Sequence, residues 1–216
     1  MASAVTLRAN RSAKTRPTGG DSRPLPRLFE KLPSIEENGI KNITVHAVGL
    51  GAERAKLPFF APPDENLGTG SFVDGYHAEN RPLHELEIVV GDEALETASA
   101  GPIAMLKVDI EGYEKAALQG LTKTLTRDRP IIVMEITIDQ KTEHTFKSRE
   151  KLAGVLPESY ELLRFARDKG LDVESGRYQL APLQIDFGHD QQLDIVALPS
   201  SLVAKLPREG GPPKEP

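Results

Sequence analysis

No cysteine and no tryptophan occur among the 216 residues, and aromatic side chains make up only 5% of them. Without cysteine there can be no disulfide, no thiolate catalysis and no Cys-ligated zinc site, and the redox compartment is left open. So few aromatics argue against a stacking platform for single-stranded nucleic acid. Long apolar runs are missing as well. A stretch such as Pro130-Ile131-Ile132-Val133-Met134 falls far short of the roughly 18 residues that mark a membrane-spanning helix. Nor does the N-terminal region carry the apolar core of a secretory signal. The remaining expectation is one domain, long enough to bury a sizeable core.

The net charge of -5 is unevenly spread. Up to Arg27 the chain carries Arg8, Arg11, Lys14, Arg16, Arg23 and Arg27 against Asp21 alone, a balance of +5, which leaves -10 for the rest. A leader of this composition, with Ser, Thr, Gly and Pro between its bases, offers too little apolar surface to order itself. Residues 1–23 are therefore expected to stand outside the fold. They read as a disordered tail, as an Arg-rich and acid-poor transit peptide, or as a segment foreign to the domain. The acidic body argues against a nucleic-acid partner. A cytoplasmic location is expected, with an organelle as the alternative.

From Pro26 onward helix and strand patterns alternate. Leu28, Phe29, Leu32 and Ile35 are spaced for a helix over Pro26–Glu37, weakened by Pro33 and closed by Asn38-Gly39. Strands are predicted at Ile43–Leu50, Leu57–Phe60 and Leu86–Val90, with a loop over Asp64–His77. A short helix follows at Glu93–Ser99 with Asp92 as its N-cap. The clearest unit is strand Ile103–Ile110, helix Tyr113–Arg127 and strand Ile131–Ile136, of a length that suits a right-handed βαβ crossover. A helix at Ser148–Leu156 and strands at Tyr160–Phe165 and Leu193–Leu198 complete the pattern. It predicts an α/β fold: a mostly parallel sheet covered on both faces. The domain is expected to span 24–200, with a polar tail over 201–216.

Lys107-Val108-Asp109-Ile110-Glu111-Gly112 carries the chemical information. An apolar stretch, Ile103–Leu106, runs into three charges at every second position, so Lys107, Asp109 and Glu111 project to one side if the strand persists. They lie at its carboxyl end, where open α/β sheets bind ligands. Gly112 permits a tight turn there. A structural reading stands beside the functional one: Lys107 pairs with Asp109, and Glu111 favours the start of the next helix. His77, His84, His144 and His189 are scattered without metal-ligand spacing, so no metal is expected. His46, inside a predicted strand, reads as structural.

Met105–Glu114, then Leu118-Gln119-Gly120, Arg129-Pro130 and Val133-Met134-Glu135-Ile136, resembles the FkbM family of S-adenosylmethionine-dependent methyltransferases. Asn38–Gly51 is similar to that family's third strand, Asn66–Ser71 to its Gly/Ser loop, Gly91–Leu95 to a helix start, and Asp194–Pro199 to its last strand. The resemblance runs from about Pro24 to Pro199. It implies a Rossmann-like methyltransferase sheet and methyl transfer from S-adenosylmethionine to a hydroxyl of a small molecule, sugar or lipid. By the same resemblance Asp109, Glu111 and Lys107 are the catalytic candidates. Val48, Gly49, Asn66, Gly70 and Ser71 face the cofactor, and Glu135 faces the acceptor.

The family's Asp-x-Gly-Ala-Asn-x-Gly cofactor loop has no counterpart. Thr18-Gly19-Gly20-Asp21 is the nearest stretch, no apolar strand precedes it, and Arg23 stands where an acid belongs. The expectation is a domain lacking its first βα unit, an incomplete fragment with feeble cofactor binding and an exposed strand edge. Two other classes stay open: an inactive remnant serving as an interaction module, and another nucleotide-binding α/β protein, the latter disfavoured by the absence of a phosphate loop.

Overall fold

Along Ile131–Ile138 every second side chain is fully buried: Ile132, Met134, Ile136 and Ile138. Ile131, Val133, Glu135 and Thr137 occupy the other face and are half-buried. This alternation is the period of a pleated strand with one strongly covered face. The computed structural model describes the backbone of residues 3–8, and backbone and side chains at 37–46, 48–61, 70–139, 142, 144–165 and 179–206.

The strands are β1 (Ser3–Arg8), β2 (Gly49–Gly51), β3 (Ala55–Ala61), β4 (Arg81–Val90), β5 (Ile103–Asp109), β6 (Ile131–Ile138), β7 (Tyr160–Phe165), β8 (Leu180–Pro182) and β9 (Gln191–Pro199). The helices are α1 (Gly91–Thr97), α2 (Glu114–Gln119), α3 (Thr122–Asp128), α4 (Arg149–Ala153) and α5 (Ser200–Val203). Six strands form one sheet in the order β1-β5-β6-β9-β7-β8, and β2-β4-β3 form a second. The predicted βαβ unit is present, with β5 and β6 parallel across α2 and α3.

Both sheets are mixed, which corrects the expectation of a mostly parallel one. In the larger sheet β1–β5 and β5–β6 are parallel, while β6–β9, β9–β7 and β7–β8 are antiparallel. The reason lies in β9, which returns late in the chain and inserts between β6 and β7 running against both. The smaller sheet pairs β4 parallel with β2 and antiparallel with β3.

Ser3–Arg8 lies in the sheet, where no strand was expected. Its backbone pairs parallel with β5 from Ser3 opposite Ile103 to Arg8 opposite Asp109. Composition gave a poor guide here because backbone pairing against an existing edge needs no strong hydrophobic pattern of its own. The strand predicted over Ile43–Leu50 is reduced to Gly49–Gly51. Ile43 and Val45 keep 50% and 41% of their surface, and His46 is exposed ahead of β2 rather than inside a strand. Of the helix predicted over Pro26–Glu37, only Glu37 falls among the described residues. So too, the stretch Thr18–Pro26 lies outside them.

The main core fills one face of the larger sheet. Leu106, Val108, Ile132, Met134 and Ile136 meet Leu118, Leu121 and Leu125 from α2 and α3, with Phe146 and Leu152 beyond. Each such side chain contributes about 1.5–3 kcal/mol when fully buried. The opposite face carries a smaller cluster of Leu163, Val196 and Leu198, and Met105 there keeps 42% of its surface. Cover on the two faces is therefore unequal among the described residues. That leaves the face bearing Lys107, Asp109 and Glu135 accessible.

The helix predicted over Tyr113–Arg127 is broken at Gly120-Leu121 into α2 and α3. Gly120 sits against the backbone of Gly51, and the Asp92 N–H donates to the Gly120 carbonyl at 2.8 Å. Asp92 does not cap its own helix. Its two carboxylate oxygens accept from the N–H groups of Lys123 and Thr124, each at 2.8 Å, and so cap α3. A Cβ at Gly120 would stand 1.9 Å from the Gly51 carbonyl oxygen. Gly120→Ala should therefore destabilise the domain by about 3 kcal/mol, the upper end of ordinary overpacking. Gly75→Ala, with φ of +71° but open space around it, should cost only about 1 kcal/mol of backbone strain. Urea denaturation of the two variants checks the contrast.

Candidate active site

The site grows out of the turn that follows β5. Glu111 and Gly112 both have positive φ, 53° and 94°. The left-handed region is ordinary for glycine but unfavourable for a glutamate. Glu114, three residues on, holds the turn in place: its buried carboxylate accepts from the N–H of Gly112 at 3.0 Å and of Ile110 at 3.3 Å. Burial pushes the Glu114 carboxyl up to about 7, against the pull of those hydrogen bonds.

A loop over residues 70–80 closes against this turn. Ser71 is fully buried; its hydroxyl donates to the Glu111 carbonyl at 2.6 Å and accepts from the Val73 N–H at 2.9 Å. Tyr76 packs its ring on Gly112, where a Cβ would approach it to 2.6 Å. Its hydroxyl bonds that of Thr137 on β6, and burial drives the phenol well above its ordinary range. His77 follows, with Nε2 3.5 Å from Glu111 Oε2 and its ring edge-on to Tyr76 at 4.7 Å.

Three carboxylates converge beneath this loop. One oxygen each of Asp109, Glu111 and Glu135 lies within 4.8 Å of the others. Lys107 Nζ stands 3.5 Å from Asp109 Oδ2, the pair that the structural reading anticipated. The β6–β9 register sets Asp194 opposite Glu135, and the Gln192 amide donates to Glu135 Oε1. Burial raises the Glu135 carboxyl first, and Asp109, Glu111 and Asp194 raise it further; Lys107 works the other way. The arrangement is a half-buried negative cluster at the carboxyl end of β5, beside the middle of the parallel strand β6. It suits one cationic group or a set of hydroxyls. Carboxylates gather this closely on many surfaces, and the spacing alone identifies no metal ligand.

Asp109, Glu111, Lys107 and Glu135 are thus brought together, although β5 ends at Asp109 and Glu111 reaches the cluster from the turn. The residues expected to face the cofactor are not gathered in this way. Asn66 lies outside the described residues. Val48 is half-buried just ahead of β2. A Cβ at Gly49 would meet Ile88 at 2.4 Å and Phe72 at 3.0 Å, and one at Gly70 would meet the Phe59 ring at 2.3 Å. Those glycine cradles are filled by the protein's own side chains. Ser71 has its hydroxyl committed to the loop and the turn. A small cavity beside α2, lined by Tyr113, Lys115, Ala116, Gln119 and His144, includes none of the carboxylates.

A sequence model described as the Methyltransferase FkbM domain matches residues 20–170. That span is well over half of the chain and contains β5, β6 and all four charged residues of the cluster. The chain belongs to the FkbM methyltransferase family. No curated protein and no solved structure matches it. The family span stops short of Asp194–Pro199, the last stretch in which the resemblance was read. Sequence reasoning missed Tyr76, His77, Thr137, Asp194 and the structural role of Glu114. Each enters the site through tertiary contact rather than through any local spacing.

Glu114 gives a direct test of the turn. Its carboxyl is raised in the folded protein from an ordinary 4.5 to about 7, so the folded state binds the proton more tightly. Stability from this group is complete below pH 4.5 and falls as pH rises through 7, by about 3 kcal/mol in all. Glu114→Gln keeps an acceptor oxygen for the turn and should flatten that slope, as followed by chemical denaturation across the same pH range.

Proposed function

We propose that this FkbM-family chain is an S-adenosylmethionine-dependent methyltransferase that transfers a methyl group to a hydroxyl of a small-molecule, sugar or lipid acceptor. The observation carrying the reading is the convergence of Asp109, Glu111 and Glu135 where β5 ends beside the middle of β6, with Lys107 beside Asp109. Its sheet is best understood as a Rossmann-like one in which β9 runs antiparallel between β6 and β7. No described helix is long and apolar enough to cross a membrane, which agrees with an acceptor reached from water.

Bound in this crevice, S-adenosylmethionine would supply an electrophilic methyl group on a sulfonium. The carboxylates suit the cationic methionyl end of such a donor. The positions expected to cradle its adenosine do not, because Ile88, Phe72 and Phe59 occupy the space at Gly49 and Gly70. Donor affinity should accordingly be weak. Asp109, held by Lys107, orients the acceptor hydroxyl or the donor ammonium. Glu135, half-buried and with its carboxyl raised by burial and by the neighbouring acids, supplies a hydrogen-bond partner on the acceptor side. Orientation of this kind carries much of the rate in displacement chemistry.

The filled cradles also favour a second reading, an inactive family remnant that acts through binding. Calorimetric titration with S-adenosylmethionine separates the two. The methyltransferase reading expects a weak but saturable isotherm, with transfer detectable at millimolar donor; no heat and no transfer would leave the remnant. Micromolar affinity would overturn the reading of the filled cradles. Asp109→Asn should lower kcat/KM by about 100-fold without changing the thermal midpoint. Unchanged turnover in that variant would remove Asp109 from the reaction.

A further inference from the structure

We infer that His77 is the group that takes the acceptor's proton, with Glu111 as the residue that positions its ring; the inference rests on the methyltransferase reading above. Three observations bring it about. His77 Nε2 lies 3.5 Å from Glu111 Oε2, and that nitrogen is buried with no hydrogen-bond partner. The ring as a whole keeps 40% of its side-chain surface, so its Nε2 edge is turned toward Glu111 while the rest of the ring stays open to an acceptor. Tyr76 locks the ring from the side at 4.7 Å, edge-on, and is itself tied to β6 through Thr137.

This is the arrangement that general-base histidines require. A carboxylate facing one ring nitrogen fixes the tautomer, placing the N–H on that side and leaving a lone pair on the other nitrogen. A separation of 3.5 Å is longer than an ideal hydrogen bond, and such contacts commonly tighten when substrate binds. The left-handed Glu111 gains a purpose in this scheme. Its unfavourable φ turns the side chain away from the strand direction and toward both His77 and the carboxylate pair of Asp109 and Glu135. Asp109 and Glu135 already lie close to one another and to Glu111. Imidazole is the better proton acceptor near neutral pH for an aliphatic hydroxyl, since a carboxylate is much the weaker base. In the transfer the hydroxyl O–H bond breaks and its proton passes to the imidazole nitrogen. The oxygen's electron pair forms the bond to the methyl carbon as the sulfonium carbon–sulfur pair returns to sulfur.

The test compares two acceptors of different acidity at millimolar S-adenosylmethionine: methyl glucoside, whose hydroxyls need a base, and 4-nitrophenol, which ionises unaided. His77→Asn keeps an N–H toward Glu111 but has no basic nitrogen. Its kcat on methyl glucoside should fall by about 100-fold or more, with KM little changed and with the activity on 4-nitrophenol within about threefold of the parent. Donor binding by calorimetry should be unaltered. His77→Gln serves as the second variant should His77→Asn lose its fold on a thermal melt. Glu111→Gln, which weakens the contact to the His77 ring and also removes one charge from the carboxylate cluster, should show the same loss on methyl glucoside to a smaller extent, with a rise in donor KM on both acceptors. Equal losses on both acceptors, or none on either, would overturn the assignment of His77 while leaving the methyltransferase reading intact. A parent chain that methylates neither acceptor overturns that reading and this one together.

Discussion

Glu114 binds two backbone N–H groups, those of Ile110 and Gly112, and everything at the end of β5 follows from that grip. The turn it clamps must change direction between a strand and a helix within four residues, Ile110 to Tyr113. Doing so sets Glu111 in a left-handed conformation that an isolated chain would avoid. A buried carboxylate is an expensive way to satisfy two donors: burial leaves it raised to about 7 even with their hydrogen bonds pulling it down. The expense is tolerated because the alternative is worse: two unsatisfied amides at the edge of the core, and a turn free to relax. Ser71 adds a third restraint by donating to the Glu111 carbonyl. The loop over residues 70–80 and the turn therefore hold one another.

The electrostatics of the cluster follow from the sheet register. β5 and β6 advance in parallel, with Val108 opposite Met134, so the next positions, Asp109 and Glu135, emerge side by side at the end of the pairing. β9 then brings Asp194 opposite Glu135 from the other flank. Among the described residues Lys107 offsets this gathering of acids. Such a pocket is unfavourable when empty of positive charge, and Glu135 records the fact by its raised carboxyl. The protein keeps the pocket half-exposed, so water limits the penalty. A cationic or hydroxyl-bearing ligand would relieve the rest.

Much of this was legible in local sequence, and the failures have a common physical cause. Lys107-x-Asp109-x-Glu111-Gly112 announced a charged strand end followed by a turn, and the alternation over Ile131–Ile136 announced a strand covered on one face. Both are local patterns with a period of two. The break at Gly120 was not legible, because it depends on Gly51 pressing against it from a distant strand. Asp92 was rightly read as a cap, but its partner is α3 rather than its own helix. Ile43 and Val45 had the alternation of a strand and found no edge to pair with among the described residues. The mixed sheet arises from where β9 inserts, a fact about long-range order that no local window contains. Tyr76 carried no signal in the sequence and His77 read only as one of several scattered histidines: their loop has no periodicity, and their contacts are with Glu111 and Thr137.

The two halves of the expected site differ in how they are anchored, and this explains why one is recognisable and the other is not. Around the carboxylates, each group is fixed by contacts within a short radius: Lys107 to Asp109, Ser71 and His77 to Glu111, Tyr76 to Thr137, and Glu114 to the turn itself. Such a constellation can survive changes elsewhere, since its geometry depends on β5, β6 and one loop. The adenosine side depends on glycines whose only use is the space they leave. Ile88, Phe72 and Phe59 pack into that space, and their contacts oppose its opening. Close-packed side chains resist opening because a cavity forfeits their contacts. A donor entering there would have to displace apolar groups already packed, whereas an acceptor would meet half-exposed carboxylates already gathered. On these grounds the chain should retain acceptor recognition more readily than donor affinity.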